Sequence, residues 1–169
     1  MTWTGVLETP AATARCATLL APLLRAGDVI ALQGDLGAGK TAFARALIQA
    51  LHAGEEVPSP TFNLVLTYEP ADPGAPVIWH FDLYRLERPE DAYELGIEEA
   101  FDDAISLIEW PDRLGRLLPD HHLEIRLQMG RRETSRRIEI RVPDGDLARF
   151  RSALEAMGLE PVHAEAGDT

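Results

Sequence analysis

The stretch Gly34-Asp35-Leu36-Gly37-Ala38-Gly39-Lys40-Thr41 restricts this chain more than any other. It fits the pattern of a glycine, four variable residues, then glycine, lysine and a hydroxyl residue. Its flanks fit as well. Asp28 to Leu32 is a short apolar run ending at Gln33, which predicts a buried strand, and Thr41 to Leu51 has the apolar spacing of a helix. A strand, a glycine loop and a helix together aim backbone N–H groups and a helix N-terminus at phosphate oxygens. Gly34, Gly37 and Gly39 leave out the Cβ atoms where a phosphate must come close. Lys40 is the only lysine of the chain, every other strongly basic residue being arginine. In such a loop it reaches the β- and γ-phosphates as a point charge, and the Thr41 hydroxyl is placed to ligate Mg²⁺. The competing reading, a glycine-rich turn matching by chance, does not account for both flanking elements.

The 169 residues suffice for one domain with a substantial core. We expect it over residues 1–157, with a polar, acidic tail over 158–169. No apolar run reaches membrane-spanning length, and the N-terminus lacks a basic region followed by an apolar one, so neither a membrane nor secretion is expected. Cys16 is the single cysteine, which excludes an internal disulfide, fits a reducing compartment, and reads as a small buried side chain. The net charge is −12. A free-standing nucleic-acid binder carries a basic footprint; here the only local one is Arg131, Arg132, Arg136, Arg137 and Arg141. Tight RNA or DNA binding by the isolated chain is disfavoured, whereas a basic protein partner is compatible with the acidic surface.

Along the chain, Thr4 to Glu8 predicts a short edge strand. Thr9 and Pro10 suit the N-cap and first position of a helix over Ala11 to Leu24, ended by Gly27. Asn63 to Glu69, Val77 to Tyr84 and Ala104 to Glu109 predict strands; Glu87 to Gly96 and Asp112 to Leu118 predict short helices. His122 to Met129 and Arg136 to Val142 alternate and predict a hairpin. Asp144 is placed to cap a last helix over Gly145 to Met157. The pattern predicts an α/β chain, a mostly parallel sheet flanked by helices with an antiparallel C-terminal hairpin.

Ligands of such sheets bind at the carboxyl ends of strands. Asp82 and Glu109 fall there, beside the phosphate loop. Hydrolysis or phosphoryl transfer needs a carboxylate near Mg²⁺ and a group that orients the nucleophile, so one acid would hold the metal and the other would act on water. The plainer alternatives are solvated loop acids or pairs with Arg85 or Arg113. Thr61, between Pro60 and Phe62 in a proline-stiffened loop, is either a hydroxyl for Mg²⁺ or the γ-phosphate, or a turn residue bonded to its own backbone. Arg85 would meet phosphate or pair with a carboxylate. Trp110 would stack beside the nucleotide or pack under it. His80 shares a strand face with Asp82 and reads as a buried, hydrogen-bonded histidine, since no His/Cys cluster accompanies it. The Asn-Lys-x-Asp signature of guanine recognition is absent, because Asn63 is the only asparagine and Lys40 the only lysine. ATP is the expected nucleotide.

The phosphate loop, Ser59-Pro60-Thr61-Phe62, His80-Phe81-Asp82-Leu83-Tyr84-Arg85, Glu94-Leu95-Gly96 and Glu109-Trp110-Pro111 follow one another in the order seen in bacterial TsaE (YjeE) ATPases, which the chain resembles from about Thr9 to Val142. The loop alone is generic; its combination with His-x-Asp-x-Tyr-Arg and Glu-Trp is specific. The resemblance implies a P-loop NTPase fold and a cytoplasmic, Mg²⁺-dependent ATPase. That ATPase serves the threonylcarbamoyl modification of adenosine 37 of tRNA together with the TsaB and TsaD proteins, which hold the tRNA. It further implies that Thr41 and Glu109 ligate Mg²⁺, that Asp82 is the other essential carboxylate, that Thr61 is a switch-like threonine, and that Trp110 lies beside the nucleotide. A small-molecule kinase with an arginine-bearing lid, and a nucleotide-gated binding module with incidental hydrolysis, are the rival readings.

Overall fold

The computed structural model describes residues 1–52, 64–70 and 72–163. Eight strands form one sheet: β1 (Thr2–Leu7), β2 (Val29–Gln33), β3 (Val65–Tyr68), β4 (Ile78–Asp82), β5 (Ile105–Glu109), β6 (Leu123–Met129), β7 (Arg136–Arg141) and β8 (Glu160–Pro161). Their order across the sheet is β3-β4-β5-β2-β6-β7-β1-β8. The α-helices are α1 (Pro10–Leu20), α2 (Lys40–Leu51), α3 (Ile97–Asp103) and α4 (Leu147–Ala156). Short 3-10 segments occupy Ala21–Leu23, Pro89–Leu95 and Pro111–Leu117.

The sheet is mixed. Its centre, β4-β5-β2-β6, is parallel, and β2 and β5 are buried on both faces, as their near-continuous apolar runs require. The antiparallel part is larger than the expected hairpin. It takes in β1 and β8 beyond the β6–β7 pair, and β3 against β4 at the other edge.

Alternation along each strand divides the core in two. Ile30, Leu32, Ile105, Leu107, Ile138 and Ile140 point to the face covered by α1, α2 and α4, where they meet Phe43, Leu47, Ile48 and Phe150. Val29, Phe81 and Ile108 point to the other face and meet Leu86 from the turn after β4 and Ala92, Ile97 and Leu114 from α3 and the 3-10 segments. Cys16 is 2 % exposed in the first cluster, and burial pushes its thiol up to about 11, so it behaves as an inert apolar side chain.

Thr9 caps α1 as its sequence position suggests, its hydroxyl accepting the Ala12 N–H at 3.1 Å. Three expectations differ. The N-terminal strand is interior, held between β7 and β8, because the end of the chain returns to pair with it. The last helix starts at Leu147 with Asp146 at its N-cap, not Asp144; Asp146 is fixed there by Arg149, 2.8 Å away. The segment from Gly158 is not a tail up to Val162. Leu159 is 4 % exposed against Gly5, and Glu160–Pro161 pairs with Trp3 and Thr4. Among the described residues no helix is long and apolar enough to cross a membrane.

Candidate functional site

The phosphate loop joins β2 to α2. Gly34, Gly37 and Gly39 have φ of 149°, 79° and 103°, in the region that L side chains avoid. At Gly34 space is limiting too, because a Cβ would sit 2.4 Å from the Leu127 carbonyl oxygen of β6. Gly39 is the N-cap of α2, and Lys40 is its first residue, one earlier than the sequence suggests. The free N–H groups of this first turn therefore face the loop's concavity. Lys40 is 5 % exposed. Its ammonium donates to the Gly34 and Asp35 carbonyls and lies 4.3 Å from the centre of the Trp110 ring. Burial lowers its pKa, opposed by Glu109, Asp82, Asp35 and Asp112 in that order. The net direction is down because desolvation of the ammonium outweighs four carboxylates at a distance.

Strand register brings the acids together. Asp82 and Glu109 are paired residues of the parallel strands β4 and β5 and end both strands on the face covered by α2. Glu109 is 2 % exposed and engaged through both oxygens. Oε1 accepts from the Thr41 hydroxyl at 2.8 Å, and Oε2 lies 2.7 Å from His80 Nε2. A carboxylate only accepts, so His80 carries its proton on Nε2 and fixes the rotation of the Glu109 carboxyl. Asp82 accepts the Tyr84 N–H at 3.2 Å. Its pKa is raised, first by burial and then by the neighbouring Glu109 charge, against the lowering effects of the Tyr84 N–H, His80 and Lys40.

Trp110 follows Glu109 with φ of 58°, the one non-glycine residue with positive φ among those described. That backbone turns the chain sharply out of β5, and Pro111 then starts a 3-10 segment. A bulky residue held there costs about 1–3 kcal/mol, which a packed core tolerates only where the surroundings dictate it. Here the indole lies between the Lys40 ammonium and the Tyr84 ring, 5.0 Å away centre to centre.

These groups line a cleft of about 480 Å³. Leu36, Gly37, Gly39, Lys40, Thr41, Asp82, Arg85, Glu109 and Trp110 all border it, so the two acids and Arg85 share one cleft with the loop. Asp35 and Ala38 belong to the same loop; the Asp35 carbonyl holds Lys40, and Ala38 is buried beneath it. Thr61 lies outside the described residues. Asp82 and Glu109 form no ion pair with Arg85 or Arg113. Two of the polar lining residues are not marked individually by the sequence. Tyr84 is signalled only by its place two residues beyond Asp82. Arg136 is one of five candidate hairpin arginines. Its Nε donates to the Ala38 carbonyl at 2.9 Å, and Nη1 donates to Glu133 and Ser135 carbonyls at 2.7 and 2.8 Å. Only the β2–β6–β7 register shows which arginine arrives at the loop.

The donor set suits a hard cation. Thr41 and Glu109 supply oxygens 2.8 Å apart, with Asp82 alongside Glu109. Among the described residues no group of three or more His, Cys, Asp or Glu side chains is arranged to hold a metal.

The family model of the threonylcarbamoyl adenosine biosynthesis protein TsaE matches residues 7–138. The Rickettsia felis tRNA threonylcarbamoyladenosine biosynthesis protein TsaE is 43% identical over 126 residues, 73% of this chain and 71% of its own length. The Treponema pallidum protein of the same name is 38% identical over 118 residues, 69% of this chain and 84% of its own. The crystal structure of Bacillus subtilus YdiB superposes with a TM-score of 0.72 at 26% identity, covering 94% of this chain and 95% of that one.

Proposed function

Because the chain belongs to the TsaE family of threonylcarbamoyl adenosine biosynthesis proteins, we propose that it is the Mg²⁺-dependent ATP-binding and ATP-hydrolysing subunit of a tRNA-modifying assembly. It works in the cytoplasm with the TsaB and TsaD proteins, which carry the tRNA. The observation that carries this reading is the convergence of Lys40, Thr41, Asp82 and Glu109 on one cleft at the strand ends. The first-turn N–H groups of α2 and Gly37–Gly39 would cradle the β-phosphate. Lys40, held by loop carbonyls and the Trp110 face, is placed to exchange those carbonyls for the β- and γ-phosphates. Thr41 and Glu109 would hold Mg²⁺, which when bound would supply positive charge to neutralise the phosphates. Asp82, whose charged form is disfavoured where it stands, would orient the attacking water and accept its proton. Trp110 would lie against the nucleotide, and Thr61 would contact the γ-phosphate.

An acidic chain then serves a tRNA reaction because its partners hold the RNA. The test is MgATP hydrolysis by the chain alone and with the TsaB–TsaD pair. Slow turnover that rises with the pair and disappears in Lys40→Ala is expected; turnover indifferent to the pair would refute the partner-dependent ATPase.

A further inference from the structure

Successive residues of β7 face opposite sides of the sheet. Arg136 turns to the phosphate loop, whereas Arg137 turns to the opposite side of the sheet, in register with Val6 of β1 and Gln128 of β6. There a second cavity of about 600 Å³ opens, sharing no lining residue with the nucleotide cleft. Arg131, Arg132 and Arg137 border it, and none of their guanidinium groups has an ion-pair partner among the described residues. Among the described residues the one carboxylate at its rim is Glu8. Its apolar lining is Val6 and Met129, 56 % and 53 % exposed. The turn that presents the arginines is preformed: Ser135 accepts from Gly130 and Arg132 N–H groups at 3.0 Å, and its own N–H reaches the Arg132 carbonyl at 3.0 Å.

We propose that this cavity docks an acidic segment of a protein partner bearing an apolar side chain. Unpaired arginines are concentrated here on a chain of net charge −12, beside exposed methionine and valine. Arginine and methionine are enriched at protein interfaces, and arginine recognises carboxylates through a planar fork. An RNA backbone is the poorer fit, because it needs phosphate contacts along an extended track and meets repulsion from the rest of the surface. The same turn carries Arg136, so a partner seated here adjoins the phosphate loop from behind.

The proposal rests on the partner-dependent reading above in that the TsaB–TsaD pair supplies the segment. The experiment measures the affinity of the pair for the full chain and for the Arg131→Glu/Arg137→Glu variant, with circular dichroism and fluorescent-ATP affinity as controls. At least a tenfold loss of pair affinity with unchanged nucleotide affinity is expected. Failure of the unaltered chain to bind the pair would overturn the functional reading and this proposal with it. Equal binding of chain and variant would overturn the docking site alone, as would a variant that weakens only tRNA retention by the assembly. Should the variant misfold, a photoreactive residue at position 129 of the otherwise native chain decides. Crosslinks within an Asp/Glu-rich segment of the pair support the proposal, and crosslinks elsewhere or none refute it.

Discussion

Asp82 and Glu109 end neighbouring strands in register, yet their surroundings differ. Glu109 has a hydrogen-bond partner on each oxygen, while Asp82 has one backbone N–H and a raised pKa. A carboxylate whose pKa is raised on folding lowers stability once pH exceeds that pKa. The penalty vanishes below its ordinary value of 3.8, where the acid is protonated in both states. Asp82→Asn is therefore expected to raise the melting temperature at pH 7, by on the order of 2 °C, while abolishing hydrolysis. The stability gain should fade as pH falls from the raised pKa toward 3.8 and be absent below it, which scanning calorimetry across pH would check. Glu109→Gln behaves differently: it keeps the shape but leaves a single acceptor oxygen for two donors, so its amide NH₂ faces either the Thr41 hydroxyl or the His80 N–H. A loss of about 1–2 kcal/mol in urea unfolding is expected, together with weaker Mg²⁺ dependence of nucleotide binding. His80→Ala tests whether that histidine acts through Glu109. It should shift the Mg²⁺ concentration at half-saturation more than the nucleotide affinity in excess Mg²⁺.

At the scale of elements, the phosphate loop depends on a neighbour that is remote in sequence. Gly34 is confined by β6, since a Cβ would meet the Leu127 carbonyl. Gly34→Ala should therefore displace the loop or the strand, lowering stability by about 2 kcal/mol and nucleotide affinity by at least tenfold, read by chemical denaturation and fluorescent-ATP titration. Gly37 is a control, because no described residue lies within 4 Å of a Cβ there and the cost comes from φ. Thr9→Ala removes a local cap of α1 and should cost about 1 kcal/mol with nucleotide binding intact.

In the whole molecule, the end of the chain completes the sheet that its beginning starts. Leu159 is buried against Gly5, and Glu160–Pro161 extends β1. Leu159→Ala is expected to cost about 2–4 kcal/mol, and removal of residues 159–169 at least as much, measured as a lower urea midpoint. Hydrolysis per folded molecule should be unchanged, since none of the described ones, residues 159–163, borders the cleft.

Local periodicity and spacing account for one part of this protein. The loop pattern with its strand and helix, the apolar runs ending at Asp82 and Glu109, and the Thr9–Pro10 helix start are all written in contiguous residues, and the structure forms each. The TsaE likeness was legible for the same reason. What only the tertiary structure decided is which distant residues meet. The pairing of β4 with β5 sets Asp82 beside Glu109, and the path of β2, β6 and β7 selects Arg136 among the hairpin arginines. Pairing with β8 turns an expected edge strand and tail into interior structure, because two residues opposite β1 carry no alternation to read. Partner choice between strands is settled by packing over the whole sheet, and no single stretch of sequence contains it.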